Sequence, residues 1–362
     1  MNEVVRRLAA LAVAVGLVGG AVWIRARLDG GERPDAARPA GSPPPAAVDG
    51  PDRALRCPLD LVALCRSLLD AVGDDLAGEV VAEPAGTTLT TLSDPAGSLD
   101  GDVWLVPSAW PAMADDARVR AGGAARFAQL PPPVAATPLV VAVWQDRHDV
   151  LLEACSGTVT WTCIGDVAPG TWADVGGPAA WGVVKPAHGS PDDAVGLAVL
   201  AQAVADRVGT TTFSLRDLQD DAVRTWVAGL ERAVQLPPPG TTALTTMVQF
   251  GPARTDLAAT TEAEAATVLA RAGERAGTVV LLDLAPAVDL DLVVAAEDPA
   301  TGRAVAALLT DEAAAQVFAD QGWRLDGEPP PARPDGPVRD AAPATPPGAL
   351  TALRTTYGEV VR

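Results

Sequence analysis

Residues Pro138–Trp144 form the most constraining segment of this chain, because the run PLVVAVW is apolar throughout and rich in valine. A strand that is apolar on both faces has to be buried on both faces, which is typical of a sheet covered by helices on either side. Around this strand, segments with helical spacing, such as Leu59–Val72, alternate with short strand-like segments, such as Asp102–Val106. The alternation predicts an α/β fold.

Three later segments extend this pattern. Trp181–Val184 predicts a short strand. Ser190-Pro191-Asp192-Asp193 predicts the start of a helix that runs to about Val208, with Ser190 as the N-cap. Gly302–Asp320 predicts the last clear helix of the folded region.

From Glu328 onward proline and alanine dominate, so residues 328–362 are predicted to be a disordered tail with at most a short helix at Gly348–Arg354.

The N-terminal segment Leu8–Ile24 is an uninterrupted apolar run with arginines on both sides. At roughly 1.5 Å per residue it is just long enough to cross a hydrocarbon core of about 30 Å. Gly19-Gly20-Ala21 leaves a cleaved signal peptide as an alternative, but no clear Ala-x-Ala site or lipobox cysteine follows. We therefore expect residues 1–27 to be an uncleaved signal anchor. Residues 28–51 contain almost no large apolar side chains and are predicted to be a disordered tether.

The net charge excludes one class of partner. The formal charge is −19 and the pI is about 4.4. Neither the phosphates of nucleic acid nor anionic lipid headgroups attract such a chain. Nucleic acid is therefore not expected as a partner.

The four cysteines favour disulfides over a metal site. Cys57 and Cys65 are separated by seven residues, as are Cys155 and Cys163, and neither spacing matches a zinc finger or ribbon. Three connectivities are possible; we favour the two local pairs, and buried reduced thiols are the alternative. Eight residues along one helix span about 12 Å, so the first pair requires Cys57 to precede its helix. Disulfides predict an oxidising compartment, with the domain on the extracytoplasmic side of a single-pass anchor in the cell membrane.

The signatures of common enzymes are absent from the sequence. It contains no G-x-S-x-G elbow, Walker loop, H-E-x-x-H pair or G-x-G-x-x-G motif. His188-Gly189-Ser190 places an imidazole near a hydroxyl, but a serine before a helix is better explained as a cap. We expect a protein that is not an enzyme and has no catalytic residues, cofactor or metal.

Small polar residues recur directly after strand-like segments. Gly86–Thr88, Pro107–Trp110 and His188–Ser190 each follow such a segment. In open α/β sheets ligands bind at the carboxyl ends of strands, where hydroxyls and the amides of helix starts converge. Ordinary turn chemistry explains each loop equally well, but together they predict a binding cleft.

Several stretches resemble type II periplasmic substrate-binding proteins, and in particular the substrate-binding half of actinobacterial proteins that also carry a von Willebrand factor A domain. The similarity spans about 52 to 326. Asp102–Trp110 resembles the family's D-V-W-I-P-D-S-S-x-W stretch, and Pro138–Trp144 resembles its first crossover strand. Trp172–Val175 resembles the W-x-D-L element of the second lobe. Thr310–Gln316 resembles the family's closing helix, and Gly322–Arg324 resembles the turn that follows it.

The chain departs from that pattern in three respects. Val106-Pro107 replaces the expected aspartate of the first stretch. The cysteine pairs are not general in the family. No von Willebrand factor A domain follows the region of similarity.

The resemblance implies a two-lobed α/β domain over residues 52–327, with the lobes joined by paired crossovers. The first lobe would comprise 52–144 and 285–327, and the second lobe 145–284. A ligand between the lobes would favour the closed state through its differential affinity, which is a hinge mechanism.

The loops that line the family's cleft carry, in this chain, Thr87, Thr88, Ser108 and Ser190. Their hydroxyls and neighbouring amides would hold an anion or a polar solute, and Trp110 is an additional candidate for stacking on a ligand. The resulting prediction is a membrane-anchored solute-binding protein with an unknown small polar or anionic ligand and an ABC permease as a possible partner. The alternative is an interaction or scaffold module of the cell envelope that has lost ligand binding, with a von Willebrand factor A-domain protein as a possible partner.

Overall fold

The computed structural model describes residues 53–325 and 341–360. The predicted anchor at 1–27 and the predicted tether at 28–51 lie outside the described residues. Among the helices of the described ranges, none combines the length and the apolar character needed to cross a membrane.

Strands and helices alternate along the chain, as the sequence predicts for an α/β fold. The strands of the described residues are β1 (Ala54–Pro58), β2 (Glu79–Glu83), β3 (Val103–Pro107), β4 (Ala135–Trp144), β5 (Pro186–Ala187), β6 (Leu257–Thr261), β7 (Val279–Leu282) and β8 (Asp289–Ala295). The α-helices are α1 (Val62–Val72), α2 (Ala85–Ser93), α3 (Ala109–Arg120), α4 (Gln145–Ala154), α5 (Trp161–Val167), α6 (Ala194–Val208), α7 (Leu215–Leu218), α8 (Asp221–Ala233), α9 (Ala243–Phe250), α10 (Glu262–Ala272), α11 (Pro299–Leu309), α12 (Glu312–Asp320) and α13 (Pro347–Val360).

Two groups of strands meet at β4. In the first group β1 lies between β2 and β3 and is parallel to both, and β8 runs antiparallel beside β3. In the second group β5 runs parallel to β6. β4 belongs to both groups, because Ala135–Pro138 pairs with β8 whereas Leu139–Trp144 pairs with β6 and β7. We call the part built on β1–β3 and β8 the first lobe and the part built on β5–β7 the second lobe.

Burial of Pro138–Trp144 on both faces is confirmed. Val141 and Val143 face the main core, whereas Val140 and Ala142 face a second cluster that includes Met247 of α9. Alternate side chains therefore enter different cores, which explains why no polar residue occurs between Pro138 and Trp144.

Both predicted disulfides are present as local pairs. Cys57 lies in β1 and Cys65 in α1, with their Cα atoms 6.5 Å apart. The chain completes β1 and a single-turn 3₁₀ helix before α1 begins, which meets the requirement that Cys57 precede the helix. Cys155, directly after α4, pairs with Cys163 of α5 at a Cα separation of 5.8 Å.

The predicted strand at Trp181–Val184 is wrong. Ala179–Trp181 forms a 3₁₀ helix, and Gly182 has a φ of 72°, which interrupts extended backbone. The parallel strand of this region is β5, two residues beyond the predicted one.

The predicted role of Ser190 as a helix N-cap is also wrong. α6 begins at Ala194, after a turn in which the Asp193 amide donates to the Ser190 carbonyl at 2.8 Å. The Ser190 hydroxyl accepts from the Asp192 amide at 3.2 Å. Local side-chain contacts of this kind compete with helix formation and explain the later start of the helix.

The segment predicted as one helix at Gly302–Asp320 consists of two. Asp298 caps the start of α11 and Asp311 caps the start of α12 through their side chains. A second capping residue inside the predicted range starts a new helix where the spacing alone indicated continuation.

The C-terminal helix is longer than the sequence predicts. α13 covers Pro347–Val360, and it buries Ala349, Leu350 and Leu353. These three side chains share one helical face, so an apolar stripe stabilises a segment that its composition alone marks as disordered.

Candidate ligand-binding cleft

The junction between β3 and α3 forms one wall of a cavity. Every residue of β3 is buried, and the strand ends at Pro107. The Ser108 amide donates to the carbonyl of Asp291 in β8 at 2.8 Å, so the neighbouring strand holds this turn. α3 then begins at Ala109 and carries Trp110 inward, with only 2% of that residue exposed.

The cavity measures about 190 Å³ and is lined by both lobes. The first lobe contributes Ser108 and Trp110 together with Asp289 and Asp291 at the start of β8. The second lobe contributes the first half of α6, including Gln202, and the C-terminal segment 341–350 completes the lining. A space of this volume suits a small ligand.

Two carboxyl groups lie in this cavity. Burial raises the pKa of Asp289, and the nearby Arg324 offsets part of that rise. Burial also raises the pKa of Asp291, and the charge of Asp289 raises it further. Among the described residues that line the cavity there is no lysine or arginine. The two acidic side chains favour a ligand that donates hydrogen bonds or carries a positive charge.

Gln202 connects the cavity wall to the chain that returns to the first lobe. Its side-chain carbonyl accepts from the Trp161 indole at 3.0 Å. Its amide nitrogen donates to the carbonyls of Leu284 and Pro286, at 3.2 Å and 2.9 Å. Because these bonds use the polar atoms of its amide, Gln202 acts chiefly as a positioning residue of the wall.

A second part of the cleft is closed by Asp60, which follows β1 in the first lobe. Its carboxyl Oδ2 accepts from the amide of Val195, in the first turn of α6, at 2.7 Å. Burial raises the pKa of Asp60 to about 7; the Val195 hydrogen bond lowers it, and the nearby Asp193 raises it. An acidic side chain from one lobe thus occupies the positive end of a helix in the other.

Gly86 makes a second direct contact between the lobes. Its amide, at the start of α2, donates to the carbonyl of Asp192 at 2.9 Å. The Asp192 carboxylate accepts from Arg354 of α13 at 2.7 Å. A Cβ added to Gly86 would lie 2.5 Å from Asp192 Oδ1, so glycine permits this approach. We call the contacts of Asp60 and Gly86 with Val195 and Asp192 the latch.

The structure does not bring the five predicted ligand-binding residues together in one place. Ser108 and Trp110 line the cavity, whereas Thr87, Thr88 and Ser190 do not. Thr87 is exposed. Thr88 is buried, and its hydroxyl donates to Glu83 at 2.6 Å. Ser190 belongs to the turn next to the latch, where its hydroxyl has a backbone partner. Ligand binding by these five residues stays a prediction.

The structure also reveals a buried pair that the sequence did not indicate. His188 Nε2 lies 3.0 Å from Glu231 Oε1, and both side chains are almost completely buried. Burial lowers the pKa of His188, but the charge and hydrogen bond of Glu231 outweigh burial and raise it overall. His188 Nδ1 contacts the carbonyl of Gly189 at 2.6 Å. Both ring nitrogens thus have partners other than Ser190. No sequence signal connects residues 43 positions apart, which explains the omission.

The described residues contain no group of three or more His, Cys, Asp or Glu side chains arranged to hold a metal ion.

Comparison with solved structures identifies the architecture. Iron-bound HitA from Pseudomonas aeruginosa aligns with a TM-score of 0.56 at 13% sequence identity, covering 86% of this chain and 99% of that one. The fold is that of the two-lobed periplasmic binding proteins. The type II class predicted from the sequence agrees with these structural neighbours.

Two further solved structures support the same fold. The ferric binding protein from Campylobacter jejuni has a TM-score of 0.54 and 7% identity, covering 85% of this chain and 97% of that one. The periplasmic binding protein AfuA from Actinobacillus pleuropneumoniae, with fructose-6-phosphate bound, has a TM-score of 0.54 and 12% identity, covering 86% and 98%. No protein-family model and no curated protein sequence matches the chain.

Proposed function

We propose that this protein is an extracytoplasmic solute-binding protein, held at the cell membrane by residues 1–27, whose lobes close on a small ligand in the cavity. The observation that carries the proposal is that both lobes and the chain returning from the second lobe line one cavity. In a two-lobed fold, a ligand that contacts both lobes binds the closed state more tightly and shifts the population towards it.

The proposed ligand is a small neutral or cationic solute, such as an amine or a polyol. Asp289 and Asp291 supply acceptors, and the Ser108 hydroxyl can donate or accept. Trp110 and the alanines of α6 supply an apolar wall. The sequence predicts a small polar or anionic ligand, and this proposal excludes the anions from that range.

A thermal-shift screen of the full-length chain tests this proposal. The screen compares small amines and polyols with small anions, such as sulfate and acetate. A ligand at 100 times its dissociation constant should stabilise the protein by about 2.7 kcal/mol. We expect stabilisation from a member of the first group and none from the anions.

Matched carboxylate variants separate the cavity from general charge effects. Asp291→Asn removes an acceptor of the cavity, and Asp116→Asn removes an exposed carboxylate of α3 that does not line it. The ligand-induced shift should fall in the first variant and persist in the second. Equal shifts in both variants, or stabilisation by the anions alone, would contradict the assignment.

The chain's location and transport partner complete the proposal. The apolar run at the N-terminus and the two disulfides support an anchored protein exposed to an oxidising compartment. Fractionation of cells should place the chain in the membrane, and removal of residues 1–27 should release it. An ABC permease is the proposed partner for transport.

The alternative function is an interaction or scaffold module of the cell envelope, with a von Willebrand factor A-domain protein as partner. The latch favours this alternative, because Asp60 and Gly86 make direct hydrogen bonds across the cleft that contribute to closure. The finer resemblance to actinobacterial proteins that carry both domains belongs to this proposal. If no solute class shifts thermal unfolding, the scaffold function is favoured.

A further inference from the structure

The C-terminal segment crosses the cleft. α13 packs against α3 of the first lobe and against α6, α7 and α8 of the second. Before the helix begins, the Ala342 amide donates to the carbonyl of Ala287 at 2.7 Å, in the chain that leads into β8. Residues 341–360 therefore contact both lobes and the connection between them.

Part of this segment forms a side of the cavity. Thr345 and Leu350 lie among the lining residues, together with three alanines of 341–344. Leu350 is 6% exposed and belongs to the main core. A ligand that approaches from this side meets the chain's own backbone and side chains before it reaches Asp291.

The packing under α13 is incomplete. A groove of about 500 Å³ lies between α13 and the α7–α8 region, lined by Leu218, Arg224 and Thr351 among others. Among the residues of the helix whose side chains are described, Ala349, Leu350 and Leu353 are buried, and Ala352 and Tyr357 are partly buried against the main core. Few buried contacts have to offset the conformational entropy of ordering an entire helix, so local release of α13 requires much less than global unfolding.

Polar contacts join α13 to the latch. Besides its ion pair with Asp192, Arg354 Nη2 donates to the carbonyl of Gly86 at 3.4 Å. Burial and the adjacent carboxylate of Glu231 raise the pKa of Tyr357. Because Gly86 and Asp192 belong to opposite lobes, Arg354 contacts both sides of the cleft at once.

We propose that the surface formed by α3 and α6–α8 is a helix-binding surface whose occupant is the chain's own helix α13, and that release of α13 exposes the cavity. Docking of the helix does not depend on the proposed function, whereas its effect on solute entry rests on that function. The docked helix would then slow solute entry, since it covers the path to the cavity.

Thiol labelling of the cavity tests the proposal without any ligand. The native cysteines are all paired. Ala201→Cys therefore places a single free thiol at a cavity-lining position that is 3% exposed. In the full-length chain we expect slow reaction with a water-soluble maleimide. Adding Leu350→Asp or Leu353→Asp, which removes an apolar anchor of α13, should raise the rate at least tenfold.

The control is Thr355→Asp, which adds the same charge at an exposed position of the same helix and should leave the rate unchanged. Leu353 does not line the cavity, so an increase confined to Leu350→Asp would indicate a local effect and overturn the docking proposal. Unchanged rates in both variants would also overturn it.

Two measurements keep the outcomes distinguishable. Faster labelling must be accompanied by a cooperative thermal transition and an unchanged circular dichroism spectrum, because global unfolding would also expose the thiol. A variant that fails this check is replaced by Arg354→Ala, for which we expect a smaller increase in the labelling rate. The solute screen fails or succeeds independently, since labelling requires no solute.

Discussion

The two parts of the cleft differ in what bounds them. The cavity is walled by core residues, with Trp110 almost completely buried in the main core. The latch consists of loop and helix-start groups, where Asp60 reaches Val195 and Gly86 reaches Asp192 through single hydrogen bonds. Burial makes a wall rigid, whereas a few polar contacts at loops form and break with little loss of packed surface. Under the proposed function, the cavity would set which ligand fits and the latch would set how readily the lobes close.

Truncation of the cavity wall should have the largest effect. Trp110→Ala removes a buried aromatic ring, and changes of this kind lower the free energy of unfolding by roughly 3–5 kcal/mol. Chemical denaturation of the variant measures it. Trp110→Phe, which retains a ring, should lose clearly less. A loss below about 1 kcal/mol for the alanine variant would show that this wall is not part of the packed core.

The latch should respond to pH. The pKa of Asp60 is raised to about 7 in the folded protein, whereas an unperturbed aspartate titrates near 3.9. Between these values the folded state binds more protons than the unfolded state, so stability falls as pH rises from 4 to 7. Asp60→Asn should remove the Asp60 share of this decline, so that the decline becomes shallower, and by pH 8 it should exceed the parent's free energy of unfolding by at most about 4 kcal/mol.

An exposed carboxylate in the same region provides the control for this pH dependence. Asp70→Asn, on α1, should leave the slope of stability against pH between 4 and 7 as it is in the parent. A parent protein whose stability does not decline in this range would contradict the position assigned to Asp60.

The sequence predicts features that depend on neighbouring residues better than the contacts across the cleft. The run at Pro138–Trp144 is recognisable because both faces are apolar, and the cysteine pairs are recognisable because their short spacing leaves few geometries. Both features depend on neighbours in sequence. The position of Ser108 and Trp110 at the cavity could also be predicted from nearby residues, since both come directly after a buried strand.

The latch and α13 depend on residues far apart in sequence. Asp60 contacts Val195, and Arg354 contacts Asp192, across separations of 135 and 162 positions. Nothing in the local pattern distinguishes these acids from solvated ones. The tail is rich in proline and alanine, and the three buried side chains of α13 are too few to predict a helix from the sequence. Their role becomes apparent only when the surface on which α13 packs is known.

The smallest effect on stability is expected at Gly86. In Gly86→Ala the new Cβ would approach Asp192 Oδ1 to 2.5 Å and Arg354 Nη2 to 2.7 Å, both at the ends of flexible side chains. These ends can move aside, and alanine is favoured over glycine in a helix by roughly 1 kcal/mol, so the free energy of unfolding should change by less than about 1 kcal/mol. The ion pair should nevertheless weaken because both of its groups are displaced, and the shift of Asp192 should also weaken the hydrogen bond from the residue 86 amide to the Asp192 carbonyl. Hydrogen exchange of the residue 86 amide should accelerate roughly tenfold, which corresponds to about 1.4 kcal/mol of local protection.

Gly78→Ala, where the nearest atom to an added Cβ is 3.9 Å away, should change neither the free energy of unfolding nor the exchange rate of the residue 86 amide. If Gly86→Ala instead destabilised the whole fold as much as Trp110→Ala, the latch would be part of the core, and the distinction between a rigid wall and a reversible closure would be lost.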